Sequence, residues 1–327
     1  MHNAEWVGWV AENAALGSDP KAVINLMVNA GFTQIDAEQL FSQTVASPLF
    51  AAYKKLYKNN GKLAAVMTNL RKLQQQSARF LTVDRVDRLD ADAFFSDYWL
   101  QNKPVIIRQL AQDWPAMSKW SMEYLAKAFG DELVEIQEGR KKDKEYEINS
   151  VNHRTKVRFA DFIQRIAEGP SNDFYMTANN NALQNRLAGL LTDVGTLPSY
   201  VNAPSVKDGE WHLWIGPQGT ITPLHHDENA ILHTQIQGRK HWKFISPLDT
   251  PNLYNHIAVF SEVDLYDIDY TRFPKMRNVP VIDVVVEPGE TIFIPLGWWH
   301  GVESLDPAIS VSFTSFKYPN YWMFNNP

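Results

Sequence analysis

The residues best suited to chemistry lie in "TPLHHDENAILHTQIQGRKHWKF", Thr222 to Phe244, which holds four of the chain's nine histidines. His225 and Asp227 stand at i and i+2. On a strand, alternate side chains share a face, so both can reach one ion while His226 points the other way. A third ligand must come from elsewhere, and His300, in "IFIPLGWWHGVESL", is the candidate, placed on a short aromatic loop after a strand. Two histidines and one carboxylate on one face of an octahedral metal leave three positions open, the arrangement of non-haem Fe(II) oxygenases. Zinc accepts the same donors in hydrolase sites, so these residues alone leave the metal open. The chain has no cysteine, which excludes disulfides, thiolate sites and cysteine nucleophiles.

The second chemical residue is Lys240. "ILHTQI" and "KHWKFI" read as a hairpin turning through "QGR". On the return strand Lys240, Trp242 and Phe244 share one face, and His241, Lys243 and Ile245 the other. The bulkier apolar set marks the interior, so Lys240 points inward. An inward lysine is costly unless it meets an anion, and a dicarboxylate cosubstrate would supply one. Lys243 reads as a solvated lysine on the outer face and His226 as pocket wall. His233 and His241 read as structural, with His233 able to approach a cosubstrate. Trp298 and Trp299 read as core, with a substrate platform as the sharper alternative.

These residues need a scaffold, and the punctuation of the chain outlines one. Short apolar stretches "WHLWIG", "GTITPLHHD", "AILHTQI", "KHWKFIS", "VIDVVV", "TIFIP" and "AISVSFTSF" alternate with Gly, Pro, Asn and Asp turns. Regular short strands of this kind predict a β-barrel or jelly roll. Upstream, "KPVIIRQL", "ELVEIQ" and "DFYMT" read as strands. Asp90 and Ser121 read as caps of two helices, and "FADFIQRIAEG" as another short helix. The polar stretch 138–158, with His153 and Arg154, reads as a solvated hairpin, or more sharply as a lid over a site.

Residues 1–79 read as a helical region, and 80–327 as the domain carrying the site. Ser18 or Asp19 with Pro20, Asp36 with Gln39, and Ser47 with Pro48 are expected to open helices. Gly17, Gly31 and Asn59-Asn60-Gly61 are expected to end them, leaving a last helix from Lys62 to Arg79. The "NAGF" turn resembles ubiquitin-associated three-helix bundles. The plainer reading is a helical appendage for packing or dimerisation.

The words "GTITPLHHDENAILHTQIQGRKHWKFISP" and "IFIPLGWWHGVESL" together resemble the JmjC, or cupin-like, 2-oxoglutarate oxygenases. Within them the chain is similar to the asparaginyl hydroxylases that act on the hypoxia-inducible factor. The likeness covers about residues 80–317. It implies a mainly β fold, a double-stranded β-helix (jelly roll) with flanking helices. It implies Fe(II) held by His225, Asp227 and His300. It also implies 2-oxoglutarate held by Lys240, Thr222 and Tyr175, with O2 as co-reactant and succinate and CO2 as products. Two asparagines that seat the metal-binding end of the cosubstrate are replaced here by Ile231 and Thr314. The hydroxylase's dimerising C-terminal helices have no counterpart in "KYPNYWMFNNP", so a homodimer stays open but its mode does not carry over. A protein or peptide substrate is implied, with hydroxylation ahead of demethylation.

Composition bounds these readings. The 327 residues are 45% hydrophobic, enough for a large core, and the formal net charge of -6 speaks against nucleic-acid binding. No apolar run has the length of a membrane span. The N-terminus lacks the pattern of a secretory signal, so a cytoplasmic location is expected. Another metal-dependent cupin enzyme, isomerase or hydrolase, and a binding protein with a vestigial site remain the alternatives.

Overall fold

In a computed structural model of the chain, residues 3–203 and 210–320 are described. Residues 321–327, read above as free of helix, lie outside them. The chain divides into two compact units, Met1–Leu70 and Arg71–Pro327. The dividing point falls ahead of the expected change at residue 79.

In the first unit α1 (Asn3–Leu16), α2 (Pro20–Asn29) and α3 (Gln34–Ala46) precede a long α4 (Pro48–Gln74). Val10, Val23, Met27, Ala37 and Leu40 make their small core. Asp19 accepts from the Ala22 amide and Pro20 opens α2, as the sequence indicates. Two expectations fail here. Thr33, not Asp36, caps α3: its hydroxyl accepts from the Asp36 amide at 3.1 Å and donates to the Asp36 carboxylate at 2.7 Å. Asp36 is therefore at N3, where a carboxylate completes the cap. Nor does Asn59-Asn60-Gly61 end a helix; α4 runs through it without a break. The Ala, Leu, Lys and Met residues on either side are strong helix formers, and one internal glycine costs only about 1 kcal/mol against alanine.

The second unit is built on two six-stranded sheets among the described residues. The first runs in spatial order β1 (Asp84–Val86), β2 (Val105–Ile107), β13 (Thr291–Ile294), β8 (Ile231–Gln237), β15 (Ala308–Phe313) and β6 (Trp211–Gly216). The second runs β10 (Asn255–Ile257), β11 (Phe260–Ser261), β7 (Ile221–His225), β14 (Trp299–Ser304), β9 (Lys240–Ile245) and β12 (Ile282–Val286). From β6 to β9, and again from β12 to β15, consecutive strands alternate between the sheets. That alternation is the double-stranded β-helix. It also corrects one expectation: β8 and β9 are not a hairpin but belong to different sheets. The chain changes sheet at Gly238, whose φ of +71° and a backbone oxygen of Pro307 only 2.3 Å from where a Cβ would sit admit no other residue without strain.

The sheets meet through Ile106, Ile292 and Ile294 of the first and Trp242, Phe244 and Val302 of the second. A larger core fills the outer side of the first sheet. The helix Phe159–Ala167 lays Phe159, Phe162, Ile163 and Ile166 into it, one face at helical spacing. A third sheet orders β4 (Arg154–Arg158), β3 (Leu133–Glu138) and β5 (Phe174–Tyr175). Its neighbour, the polar stretch after β3, is not a solvated hairpin. Arg140 and Tyr146 are buried, and both donate to the Ile221 carbonyl, at 2.7 and 2.9 Å. His153 is held between the Glu138 carbonyl and Asp143, at 3.0 and 3.1 Å. Charged composition concealed this, because a buried arginine with a carboxylate partner reads like a surface one. No described helix is long and apolar enough to cross a membrane.

A Cβ at Gly61 would meet nothing within 4 Å. Gly61→Ala is therefore expected to stabilise α4 by about 0.5–1 kcal/mol, read by urea denaturation followed by circular dichroism. A loss of stability would mean that the helix ends at this glycine after all.

Candidate active site

The metal edge of the site is set by one antiparallel pairing. β7 and β14 lie side by side with His225 directly opposite His300. His300 is thus on a strand, not on the aromatic loop expected from "GWWH". Their rings stand 4.2 Å apart between centroids. Asp227, just past the end of β7, brings Oδ2 to 3.5 Å from His300 Nε2. One ligand atom from each of the three lies within 4.8 Å of the others.

The histidines are held in the form a metal needs. His225 Nδ1 bonds the Pro223 carbonyl at 2.8 Å and His300 Nδ1 the Trp298 carbonyl at 2.9 Å. Each carbonyl accepts from Nδ1–H, so each Nε2 keeps a free lone pair directed at the common point. Burial, and then the neighbouring His225, push the His300 imidazole down to about 4, so it is neutral at physiological pH. An oriented His2–Asp set with its ligand atoms this close fits a divalent metal of the imidazole- and carboxylate-binding kind.

The cleft above it is about 530 Å³ and also holds Lys240, Tyr175, Thr222 and Thr314. Burial along β9 alternates as parity requires: Lys240, Trp242 and Phe244 are inside. Lys240 Nζ donates to the Tyr175 hydroxyl at 3.1 Å and to the Ser310 hydroxyl at 2.9 Å. Neither is an anion. Burial alone pushes the lysine down to about 7. Burial also raises the Tyr175 phenol, which stays protonated. Gly216 makes room for this tyrosine, since a Cβ there would fall 2.5 Å from its ring.

Thr222 lies on β7 near Val302 of β14, in the cleft wall. Thr314 and Ile231 also line the cleft, so the two positions that depart from the family pattern are at the site. The other histidines separate cleanly. His226 packs edge-on against Trp299 at 4.7 Å and borders the cleft. His241 bonds Asp283 at 2.8 Å on the outer face. Lys243 is not simply solvated: it donates to the Leu265 carbonyl at 2.9 Å above the Tyr266 ring. Trp298 and Trp299 are core, with their indole N–H groups on the Asn102 carbonyl and the Thr250 hydroxyl.

His233 is more exposed to the chemistry than its strand position suggests. It is buried, lines the cleft, stands edge-on to Trp242 at 4.9 Å, and its Nε2 has no partner. Burial, then Lys240, hold it well below the usual histidine range, so it is neutral. Sequence reading missed Ser310, Ser312, Trp214 and Glu147 altogether. Ser312 lies opposite His233 in register and accepts from the Trp214 indole at 2.8 Å. Glu147 reaches the cleft because Arg140 and Gln137 hold it, at 3.0 and 3.1 Å. The alternation of Ser310 and Ser312 with Ile309, Val311 and Phe313 along β15 is the one signal that could have pointed to the serines.

Residues 91–316 match the cupin-like domain family, and the chain belongs to it. Its relatives place it among the JmjC proteins of that family. Lysine-specific demethylase JMJ30 of Arabidopsis thaliana is 32% identical over 72% of this chain and 56% of its own length. Lysine-specific demethylase 8 of Danio rerio is 32% identical over 71% of this chain and 57% of its own. HSPB1-associated protein 1 of Homo sapiens is 30% identical over 65% and 47%. The chain thus spans about half the length of the curated relatives it matches.

The lysine has a consequence for stability. The unfolded chain keeps the Lys240 proton up to about pH 10.5, whereas the folded one gives it up near 7. The unfolded state therefore binds more protons in that window, and ligand-free stability should rise as pH climbs from about 7 towards 10. Below the window the cost of the buried charge is fully present. Lys240→Met should raise the melting temperature at neutral pH and flatten this rise, measured by thermal denaturation across a pH series without ligand. An equally steep rise in the variant would place the titration elsewhere.

Proposed function

We propose that this chain is an Fe(II)- and 2-oxoglutarate-dependent oxygenase that hydroxylates a side chain of a protein or peptide, releasing succinate and CO2. The observation that carries this is Lys240, a buried cation that meets two hydroxyls and the Tyr175 and Trp214 rings but no described carboxylate, in the same cleft as a His2–Asp metal set. The isomerase or hydrolase reading assigns this lysine no role. A keto acid with two carboxylates supplies one: one end meets the lysine, and the other reaches the metal.

When bound, Fe(II) supplies the redox chemistry that couples decarboxylation of the keto acid by O2 to oxidation of a C–H bond. The protein's part is to hold and orient. His225, Asp227 and His300 are the proposed ligands, aimed by the Pro223 and Trp298 carbonyls. Lys240 binds the distal carboxylate, with Tyr175 and Ser310 fixing its ammonium group and Thr222 adding a hydroxyl. The incoming dianion restores the proton affinity that burial removed, so the lysine is charged in the complex. His233 offers a further donor beside the metal end, where Thr314 keeps a hydroxyl and Ile231 has none. Trp242, Trp298 and Val302 keep that end dry.

The cleft lining includes Glu147, His226, Glu228 and Asn229, polar groups suited to a peptide. Hydroxylation follows from the likeness to the asparaginyl hydroxylases. The names of the relatives favour a second outcome, removal of an N-methyl group from lysine, by the same oxidation at a methyl carbon. Mass spectrometry of treated peptides separates the two, as gain of one oxygen or loss of a methyl group. The net charge of -6 keeps nucleic acid outside this reading. A cytoplasmic location suits a supply of 2-oxoglutarate and reduced iron.

Purified with Fe(II), the protein should form succinate from 2-oxoglutarate. Asp227→Ala should abolish this and Lys240→Ala should weaken it by ~100-fold or more, the cost of leaving a buried carboxylate unpaired. Iron binding with no effect of 2-oxoglutarate on the iron would rule the reading out. Calorimetry with Mn(II) in place of iron tests His233 separately: His233→Leu should weaken 2-oxoglutarate binding about tenfold, a hydrogen bond to a charged group, with metal affinity unchanged. Equal affinities in variant and parent would remove His233 from the cosubstrate seat.

A further inference from the structure

Helix α4 has a seam that the catalytic reading does not use. Leu49, Leu56, Leu63 and Leu70 recur every seven residues, and Tyr53, Asn60 and Met67 fall between them at alternating spacings of four and three. This is a heptad pattern with leucine at every d position and Tyr, Asn and Met at a. The four leucines are 82%, 63%, 64% and 47% exposed. Within this unit α1, α2 and α3 pack chiefly on one another, and among the described residues of α4 in this unit it is Phe50, off the leucine seam, that is buried. A helix of 27 residues with such a face is left in water.

We propose that α4 pairs with α4 of a second copy of this chain, as a parallel, in-register coiled coil. Three features choose this occupant. The first is Asn60. In a parallel pair, a faces a, so Asn60 meets the partner's Asn60, and the NH2 of one amide donates to the carbonyl oxygen of the other. An antiparallel pair sets a against d, and would leave Asn60 facing leucine. An apolar groove or a lipid surface would leave it unsatisfied. One buried asparagine at a is a known device for fixing register and two-strandedness.

The second feature is charge. The helix carries Lys54, Lys55, Lys58, Lys62 and Lys72 and no acid from Pro48 to Gln74. All five lysines fall at b, c or f, on the outside of the pair. The e and g positions from Phe50 to Val66 hold Phe, Ala, Tyr, Asn, Ala and Val, so no like charges meet across the seam. Arg71, the first charged e position, is already paired with Asp249 at 2.8 Å. The third is length: three heptads, the span at which such a pattern becomes diagnostic. Gly61, the one weak helix former, sits at b, away from the seam.

The full chain decides it. Sedimentation equilibrium should show a dimer at micromolar concentration, and Leu56→Glu with Leu63→Glu should give a monomer. Both leucines are exposed in the single chain, so circular dichroism and the melting temperature of the second unit should not change. Asn60→Leu should shift the dimer to higher oligomers, a response that undirected hydrophobic association would not give. The chain has no cysteine of its own, so Leu56→Cys should cross-link to a covalent dimer on mild oxidation while Lys58→Cys should not. A monomeric parent, a dimer that survives the double glutamate change, or no cross-link at position 56 would overturn the proposal. So would a monomer that sediments with anionic phosphatidylglycerol vesicles, which would assign the seam to a lipid surface.

Discussion

The site depends on the antiparallel register of β7 and β14. With His225 opposite His300, two imidazoles from distant parts of the chain share one point in space. Everything else near the metal edge follows from it. Asp227 is two residues past His225 and comes round to the same point. The Pro223 and Trp298 carbonyls, two residues before each histidine, are then placed to accept from Nδ1. A slip of either strand by one residue would turn its own histidine to the wrong face and part the pair. The register is protected by burial on both sides of β14, where Trp299, His300 and Val302 are enclosed.

The second constraint is electrostatic. Placing Lys240 inside a β-sandwich opposes folding, because an ammonium group loses its water and receives two hydroxyls and the faces of two aromatic rings in return, with no described counter-charge. Natural cores avoid this unless function needs it. The same burial that depresses the lysine makes its attraction for a dianion strong, since little solvent remains to screen it. Stability and ligand affinity are here two sides of one desolvation. Tyr175 and Gly216 show how closely the wall is fitted around the lysine: the ring occupies the space that only glycine leaves.

Much of this was legible in the chain itself, and the failures are instructive. Strand parity placed Lys240, Trp242 and Phe244 inside, because a side-chain period of two is a local property of an extended backbone. Caps at Asp19, Asp90 and Ser121 were legible for the same reason: each acts within three residues of itself. The break at Asn59-Asn60-Gly61 was misread because turn-forming residues were weighed without the helix formers around them. The hairpin through "QGR" was misread because a tight turn and a change of sheet use the same glycine, and only the partners of β8 and β9 distinguish them. Arg140 and His153 looked solvated because charge in a sequence does not say where its counter-charge lies.

The sequence by itself determined the donor types, the excluded chemistries, the inward lysine and the strand-rich fold, since each follows from residue type or from periodicity along the chain. Tertiary structure alone decided which groups meet. It brought His300 across from His225, set Ser310 and Tyr175 on the lysine, put Ser312 opposite His233, and drew Glu147 to the cleft through the buried Arg140. These are contacts between residues far apart in the chain. They depend on strand register and on alternation between two sheets, and no local pattern of residues encodes either.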